Sequence, residues 1–162
     1  MFNNCFECGT KLEIKFLEHE GMIPYCPKCK EFRFPIFSSA VSLVILNKDQ
    51  TKTLFVKQYG TSFYRLVAGY INKGENAEEA LVREMHEEIG VSPLEYHFQK
   101  TEYFAKSNTL MINYYVVLEN EEITPNYEID SYSWFPIEEG MEAIKDASLA
   151  SKFYQYYLEH RV

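Results

Sequence analysis

The chain has 162 residues, 46% hydrophobic, 16% aromatic and 25% charged, a composition that excludes wholesale disorder and fits one ordinary domain with a small appendage. Its net charge of −8 disfavours non-specific binding to nucleic acid or to an anionic membrane, both of which need a basic face. No apolar run reaches the length of a membrane span, and Met1-Phe2-Asn3-Asn4-Cys5 lacks the basic and apolar regions of a secretory signal. The expected compartment is therefore the cytoplasm, where thiols stay reduced.

The elements begin with the cysteines. Cys5-x-x-Cys8 and Cys26-x-x-Cys29 form two knuckles separated by seventeen residues. This is the spacing of a zinc ribbon, in which each knuckle turns two thiolates toward one tetrahedral metal. Two disulfides, or four reduced cysteines without metal, are the competing readings. Four thiolate ligands would leave no open position, so a zinc here is structural and supplies much of the folding energy of a segment too short for its own core. Leu12–Leu17 alternates apolar and polar residues and predicts a short strand. Residues 31–39 read as a linker, placing a ribbon at 1–35 and a second domain at 36–162.

Ala40–Leu46 is a continuous apolar run and predicts a strand buried on both faces. Asn47–Lys52 is a polar turn, and Thr53–Tyr59 predicts the returning strand of a hairpin. Further strands are predicted at 64–68, 96–105, 109–119 and 131–136, with helices at 77–89 and 148–160. The class is α+β.

The chemistry concentrates in Gly69–Val91, GYINKGENAEEALVREMHEEIGV. Asn76 suits an N-cap and Gly90 a C-terminal cap. On the helix between them, Leu81, Val82, Met85 and Ile89 make one apolar stripe. Glu84, Glu87 and Glu88 share an adjacent stripe at i, i+3 and i+4, within about 6 Å of one another. Like charges at that separation repel unless a cation joins them, and hard oxygen ligands suit Mg²⁺ or Mn²⁺. Arg83 is placed to pair with a carboxylate and hold it. Ala77 and Ala80 leave room for the loop from Gly69 to Glu75 to fold back over the acidic side. A solvated acidic helix face is the plain alternative.

This segment resembles the signature of the Nudix hydrolase family, G-x5-E-x7-R-E-U-x-E-E-x-G-U with U a bulky apolar residue. Gly69, Glu75, Arg83, Glu84, Met85, Glu87, Glu88, Gly90 and Val91 all agree with it. The resemblance implies an α/β/α sandwich with a mixed β-sheet, behind the small N-terminal zinc ribbon. It implies a metal-dependent hydrolase acting on a nucleoside diphosphate linked to another moiety. Glu84 and Glu88 would be direct metal ligands, Glu87 a ligand directly or through water, and the Ala68 carbonyl a further one. The metal polarises the diphosphate and activates a water.

A ribbon directly before such a domain resembles the NADH pyrophosphatase branch. Ala68-Gly69-Tyr70 stands for that branch's Ala-Gly-Phe, and Phe34-Pro35 for its Tyr-Pro. Glu128, six residues before Trp134, matches its late metal-binding Glu; an exposed loop carboxylate is the alternative. Ser148-Leu149-Ala150 opens the last helix, with Ala150 in the place of a residue that touches substrate. Where the branch carries Ser-Gln-Pro-Trp-Pro-Phe-Pro, this chain has Thr101-Glu102-Tyr103-Phe104-Ala105-Lys106-Ser107. Glu102 replaces the Gln, and Phe104 stands at the Trp. Tyr103 and Phe104 are read either as a stacking surface or as ordinary strand aromatics. Losing the prolines and gaining a charge predicts weak NAD(H) binding, with other adenine diphosphate derivatives accepted. ADP-ribose, nucleotide sugars and nucleoside triphosphates are the alternative substrates, and a nucleotide-sensing regulator is the alternative role. Expected partners are a small nucleotide, no membrane and no nucleic acid. Tyr154, Tyr156 and Tyr157 on the last helix serve either packing or a homodimer face.

Overall fold

The computed structural model describes residues 3–161. They form two compact units, divided between Phe37 and Ser38.

The N-terminal unit is a three-stranded antiparallel sheet in the order β1 (Glu13–Leu17), β2 (Gly21–Cys26), β3 (Glu31–Phe32). The two knuckles are built alike. Gly9 N–H donates to the Cys5 carbonyl, and Lys30 N–H to the Cys26 carbonyl, each at 2.8 Å. Both donors have positive φ, 72° and 60°, which explains a glycine at the first site; Lys30 adopts the same turn with a Cβ. Within the stretch expected to be a linker, Glu31–Phe32 pairs with β2 and Ser38–Ser39 already belongs to the next strand. Strand β2 was not foreseen because Pro24 interrupts it. Pro24 stays in the ladder opposite Ile14, while its carbonyl accepts from Arg33 N–H on the short β3 side.

In the second unit a six-stranded mixed sheet runs β7-β8-β4-β5-β9, with β6 also paired to β4. The strands are β4 (Ser38–Leu46), β5 (Lys52–Gln58), β6 (Val67–Tyr70), β7 (Glu95–Phe104), β8 (Thr109–Val117) and β9 (Ile129–Pro136). Strand β4 is central: it pairs parallel with all nine residues of β8, and antiparallel with β6 and β5 on its other edge. Its apolar run serves both faces by alternation. Val41, Leu43 and Ile45 pack with Leu81, Met85 and Ile89 of helix α1 (Ala77–Ile89). Val44 and Leu46 pack with Phe153, Tyr154 and Tyr157 of helix α3 (Leu149–His160). This is the α/β/α sandwich. Each fully buried aliphatic side chain contributes about 2 kcal/mol. Tyr154 and Tyr157 are thus core residues, and the Tyr154 hydroxyl donates to the Ile137 carbonyl at 2.7 Å.

Helix α1 begins and ends where the sequence places it. Asn76 and Glu79 form a reciprocal capping box, and Gly90 closes the helix at φ 71°. Ser148 caps α3. A short helix, α2 (Gly140–Ala143), lies between β9 and α3 and was not anticipated. The strand expected at 64–68 is displaced: Arg65 instead exchanges both backbone bonds with Val56, and β6 runs on through Gly69 to Tyr70. Among the described residues no helix is long and apolar enough to cross a membrane.

Candidate active site and metal centres

Where β6 passes α1, the backbone nearly touches a carboxylate. A Cβ on Gly69 would lie 1.9 Å from Glu84 Cδ, so any other residue would have to displace the Glu84 carboxylate. Ala80 is fully buried and Ala77 packs on the core beside it, which admits this approach.

Arg83 binds the elements of this corner together. Its guanidinium grips Glu75 with two bonds, Nε to Oε1 at 2.6 Å and Nη2 to Oε2 at 2.9 Å. It also donates to Glu84 Oε1 at 2.7 Å, to Glu87 Oε2 at 3.0 Å and to the Tyr70 carbonyl at 2.8 Å. The fork geometry of arginine makes this many-handed contact possible; lysine could not repeat it. The Arg83 contact, with the Asn72 amide second, holds the Glu75 carboxyl down at about 2.

Glu84 and Glu88 are buried, whereas Glu87 is exposed. Gln58, at the end of β5, donates to Glu88 Oε2 at 2.7 Å. The α1 C-terminus is tied to the following loop: Thr124 N–H donates to the Ile89 carbonyl at 2.8 Å and Asn126 N–H to the Glu88 carbonyl at 2.9 Å. That loop delivers Glu128, whose backbone N–H is held by Asn126 Oδ1 at 2.9 Å. Tyr59 then donates to Glu128 Oε2 at 2.7 Å. Gln58, Tyr59 and Asn126 were missed by sequence reasoning. A glutamine ending an apolar strand and a tyrosine beside a turn glycine carry no signal of their own.

Desolvation, then the charges of Glu84 and Glu128, push the Glu88 carboxyl up to about 8. Burial likewise raises Glu84, against the pull of Arg83. Two buried carboxyls that resist ionisation would hold a proton or gain from a cation placed between them. Their hard oxygen donors fit Mg²⁺ or Mn²⁺.

The four cysteines form a second cluster that could hold a metal ion. Their sulfurs all lie within 4.8 Å of one another. Cys5 and Cys29 sulfurs are 3.9 Å apart, and those of Cys8 and Cys26 3.5 Å, so none are disulfide-bonded. Two bonds of about 2.3 Å at a tetrahedral angle set sulfurs roughly 3.8 Å apart, so the cluster has the dimensions of a zinc site. Burial raises the Cys5 thiol, but hydrogen bonds from Arg33 and from the Cys8 and Glu7 amides bring it down to about 6. Cys29 is pushed up to about 12, first by its contact with Cys8 and then by burial. Four thiols this close cannot all ionise without a cation among them. Cys26→Ser is expected to lower bound zinc by at least half and to lower the melting temperature, while turnover at low temperature persists. Metal analysis and thermal unfolding check this, and an unchanged melting temperature would contradict it.

The remaining residues named from the sequence fall as follows. Glu102 and Phe104 lie on β7, and Ala150 in the first turn of α3. Lys152 donates to Glu102 Oε1 at 3.3 Å, and Lys100 Nζ lies 3.5 Å from Oε2. Lys152 is a further residue the sequence did not single out. Phe34 belongs to the N-terminal unit, where its ring is exposed. Trp134 packs on the α1-side core and donates to the Glu121 carbonyl at 3.1 Å.

The profile of the NUDIX domain matches residues 37–157, and the chain belongs to that family. Among curated proteins it is 25% identical, over 158 residues, to the "NAD-capped RNA hydrolase NudC" of Pseudomonas aeruginosa, covering 97% of this chain and 56% of that protein. The protein of the same name from Stutzerimonas stutzeri is 24% identical over 98% of this chain and 56% of its own length. The chain thus spans just over half the length of these relatives. Among solved structures, the NUDIX domain of Shewanella oneidensis NrtR, complexed with ADP ribose, superposes with a TM-score of 0.67 at 18% identity, over 85% of this chain and 94% of that one. A NUDIX hydrolase from Nitrosomonas europaea gives 0.64 at 18% identity, over 99% and 92%. These likenesses bear on the fold.

Proposed function

We propose that the chain is a divalent-metal-dependent pyrophosphohydrolase that cuts within the diphosphate of a nucleoside diphosphate derivative, NAD(H) first, giving nicotinamide mononucleotide and AMP. The observation that carries the reading is the apposition of Gly69 and Glu84, with buried Glu88 and the Glu128 loop tied to the same helix end. NAD(H) as substrate draws on two supports, the cysteine cluster ahead of the domain and the likeness to relatives whose name includes NAD.

In this reading Glu84, Glu88, Glu128 and the Ala68 carbonyl hold Mg²⁺ or Mn²⁺, with Glu87 contributing directly or through water, and zinc occupies the cysteine cluster. A metal bound there supplies charge neutralisation at the diphosphate and lowers the pKa of a bound water. Arg83 keeps Glu75, Glu84 and Glu87 aimed at the corner. Gln58 orients the Glu88 carboxyl and leaves its second oxygen for a ligand or a proton.

Glu128→Ala is expected to raise the Mg²⁺ concentration for half-maximal rate by about tenfold, the range expected when a residue supporting metal affinity is lost. An unchanged metal titration would return Glu128 to the role of a loop carboxylate held by Tyr59.

A second reading keeps the chemistry and enlarges the substrate to the NAD-capped end of an RNA, the substrate in the relatives' printed name. A panel of NADH, ADP-ribose, a nucleotide sugar, a nucleoside triphosphate and an NAD-capped oligoribonucleotide, run with Mg²⁺ and with Mn²⁺, separates these. NADH cleaved to two mononucleotides supports the first reading. No metal-dependent cleavage of any member would overturn both and leave a nucleotide-sensing role.

A further inference from the structure

Arg33 carries a full charge and is nevertheless buried, at 8% exposure. Its surroundings explain how. Strand β3 ends at Phe32, and Arg33 N–H continues the ladder by donating to the Pro24 carbonyl at 2.7 Å. Pro24 and Glu31 flank the second knuckle, Cys26 to Cys29, on its two sides. Strand alternation puts Glu31 and Arg33 on one face, and Arg33 Nη1 donates to Glu31 Oε2 at 2.6 Å. The other two nitrogens reach the first knuckle. Nη2 donates to Glu7 Oε2 at 2.6 Å, and Nε donates to the Cys5 sulfur at 3.3 Å. Phe6, between those two residues, lays its ring against the guanidinium, 5.0 Å from Cζ to the ring centroid. Cys5, Phe6 and Glu7 thus all meet Arg33, a residue from the far side of the second knuckle.

A buried guanidinium is costly unless anions receive its donors. Here three nitrogens serve three different acceptors, one of them a sulfur of the cysteine cluster. The Glu7 and Glu31 side chains are 54% and 62% exposed, so water still solvates those carboxylates. Cys5 is buried and has no such recourse. Four thiolates around one Zn²⁺ sum to 2 − 4 = −2, and a guanidinium against one of them offsets part of that charge. A zinc-bound thiolate accepts the Arg33 bond more strongly than a thiol does, so the contact favours the loaded cluster. A lysine's single nitrogen could not span three acceptors on two knuckles.

We propose that Arg33 is the positioning residue of the cysteine cluster: it clips the two knuckles together through protein contacts and shields the Cys5 sulfur, so zinc meets a preformed site and is retained there. The proposal rests on zinc as the occupant of the cluster, the reading given above, and is independent of the hydrolysis.

Two measurements on the full chain test it. Zinc affinity is read by competition with a chromophoric chelator. The zinc-loaded protein is also treated with iodoacetamide, and mass spectrometry follows each cysteine. Arg33→Met keeps an apolar stem and removes the charge and the fork. It is expected to weaken zinc about tenfold or more, the range for a lost partner of a metal ligand. In that variant Cys5 should be alkylated about fivefold faster or more relative to Cys26, the other buried cysteine. General loosening of the fold would speed both alike and leave their ratio unchanged. Arg33→Lys keeps the charge and loses the fork, and should weaken zinc about threefold or more; it decides the matter if Arg33→Met does not fold. Zinc affinity within twofold of the parent, or an unchanged ratio of Cys5 to Cys26 alkylation in Arg33→Met, would overturn the proposal. The two failures are distinguishable. A parent chain that binds no zinc overturns the zinc reading and the proposal with it. A parent that binds zinc and loses it on Cys26→Ser, but not on Arg33→Met, overturns the role of Arg33 alone.

Discussion

Glu88→Gln is expected to lower kcat on the order of 10²-fold or more, with the fold intact. The substitution keeps volume and one oxygen, and Gln58 can still donate to that oxygen as it does to Glu88. It removes the charge a divalent cation needs, at a carboxyl that burial and its neighbours already hold near 8. Removing an uncompensated buried charge should stabilise the metal-free protein, so the melting temperature without metal should rise or hold while activity falls. For an acid whose folded pKa is raised, stability is lost as pH climbs from the unfolded value toward the folded one. The thermal advantage of the variant in EDTA should therefore grow between about pH 5 and pH 8. Steady-state kinetics in saturating Mg²⁺ and melting curves across pH check both halves. Near-normal turnover would remove Glu88 from the metal site.

Gly69→Ala tests the same corner from the backbone side. The added methyl would fall 1.9 Å from Glu84 Cδ and 2.0 Å from Oε1, well inside contact distance. The obstructing atoms are the end of a side chain, so the fold can yield by moving the carboxylate. That motion breaks the Arg83–Glu84 bond and displaces a carboxylate that the proposed function gives to the metal. Overpacking strain of about 1–3 kcal/mol, expressed at the transition state, corresponds to a loss of roughly 5- to 150-fold in kcat/KM. The melting temperature should change little by comparison. A fully active Gly69→Ala enzyme would show that Glu84 does not need its place beneath β6.

These two residues also mark what can be read in a sequence. Helix α1 was legible to the residue because three signals coincide: the apolar stripe of Leu81, Met85 and Ile89, the Asn76 cap and Gly90. The sheet's centre was legible because β4 is apolar from Ala40 to Leu46 except at Ser42 and is buried on both faces there. β2 was hidden by Pro24, whose missing N–H faces a side that asks little of it. β6 was placed too early because a glycine argues against a strand, and here Gly69 is in the strand so that a carboxylate can pass. The clustered glutamates announced themselves by spacing along one helix. Their partners did not. Gln58, Tyr59 and Lys152 arrive from a strand end, a turn and a different helix, and only the folded chain brings them to Glu88, Glu128 and Glu102.

The most direct test of metal-assisted cleavage within a diphosphate is the product analysis of one NADH digest. Purified protein is incubated with NADH in Mg²⁺, in Mn²⁺, and in EDTA, and the products are separated and identified by mass. The account predicts the reduced nicotinamide mononucleotide and AMP in equal amounts with either metal, and neither in EDTA. Cleavage that persists in EDTA, or products of nicotinamide and ADP-ribose, would contradict it.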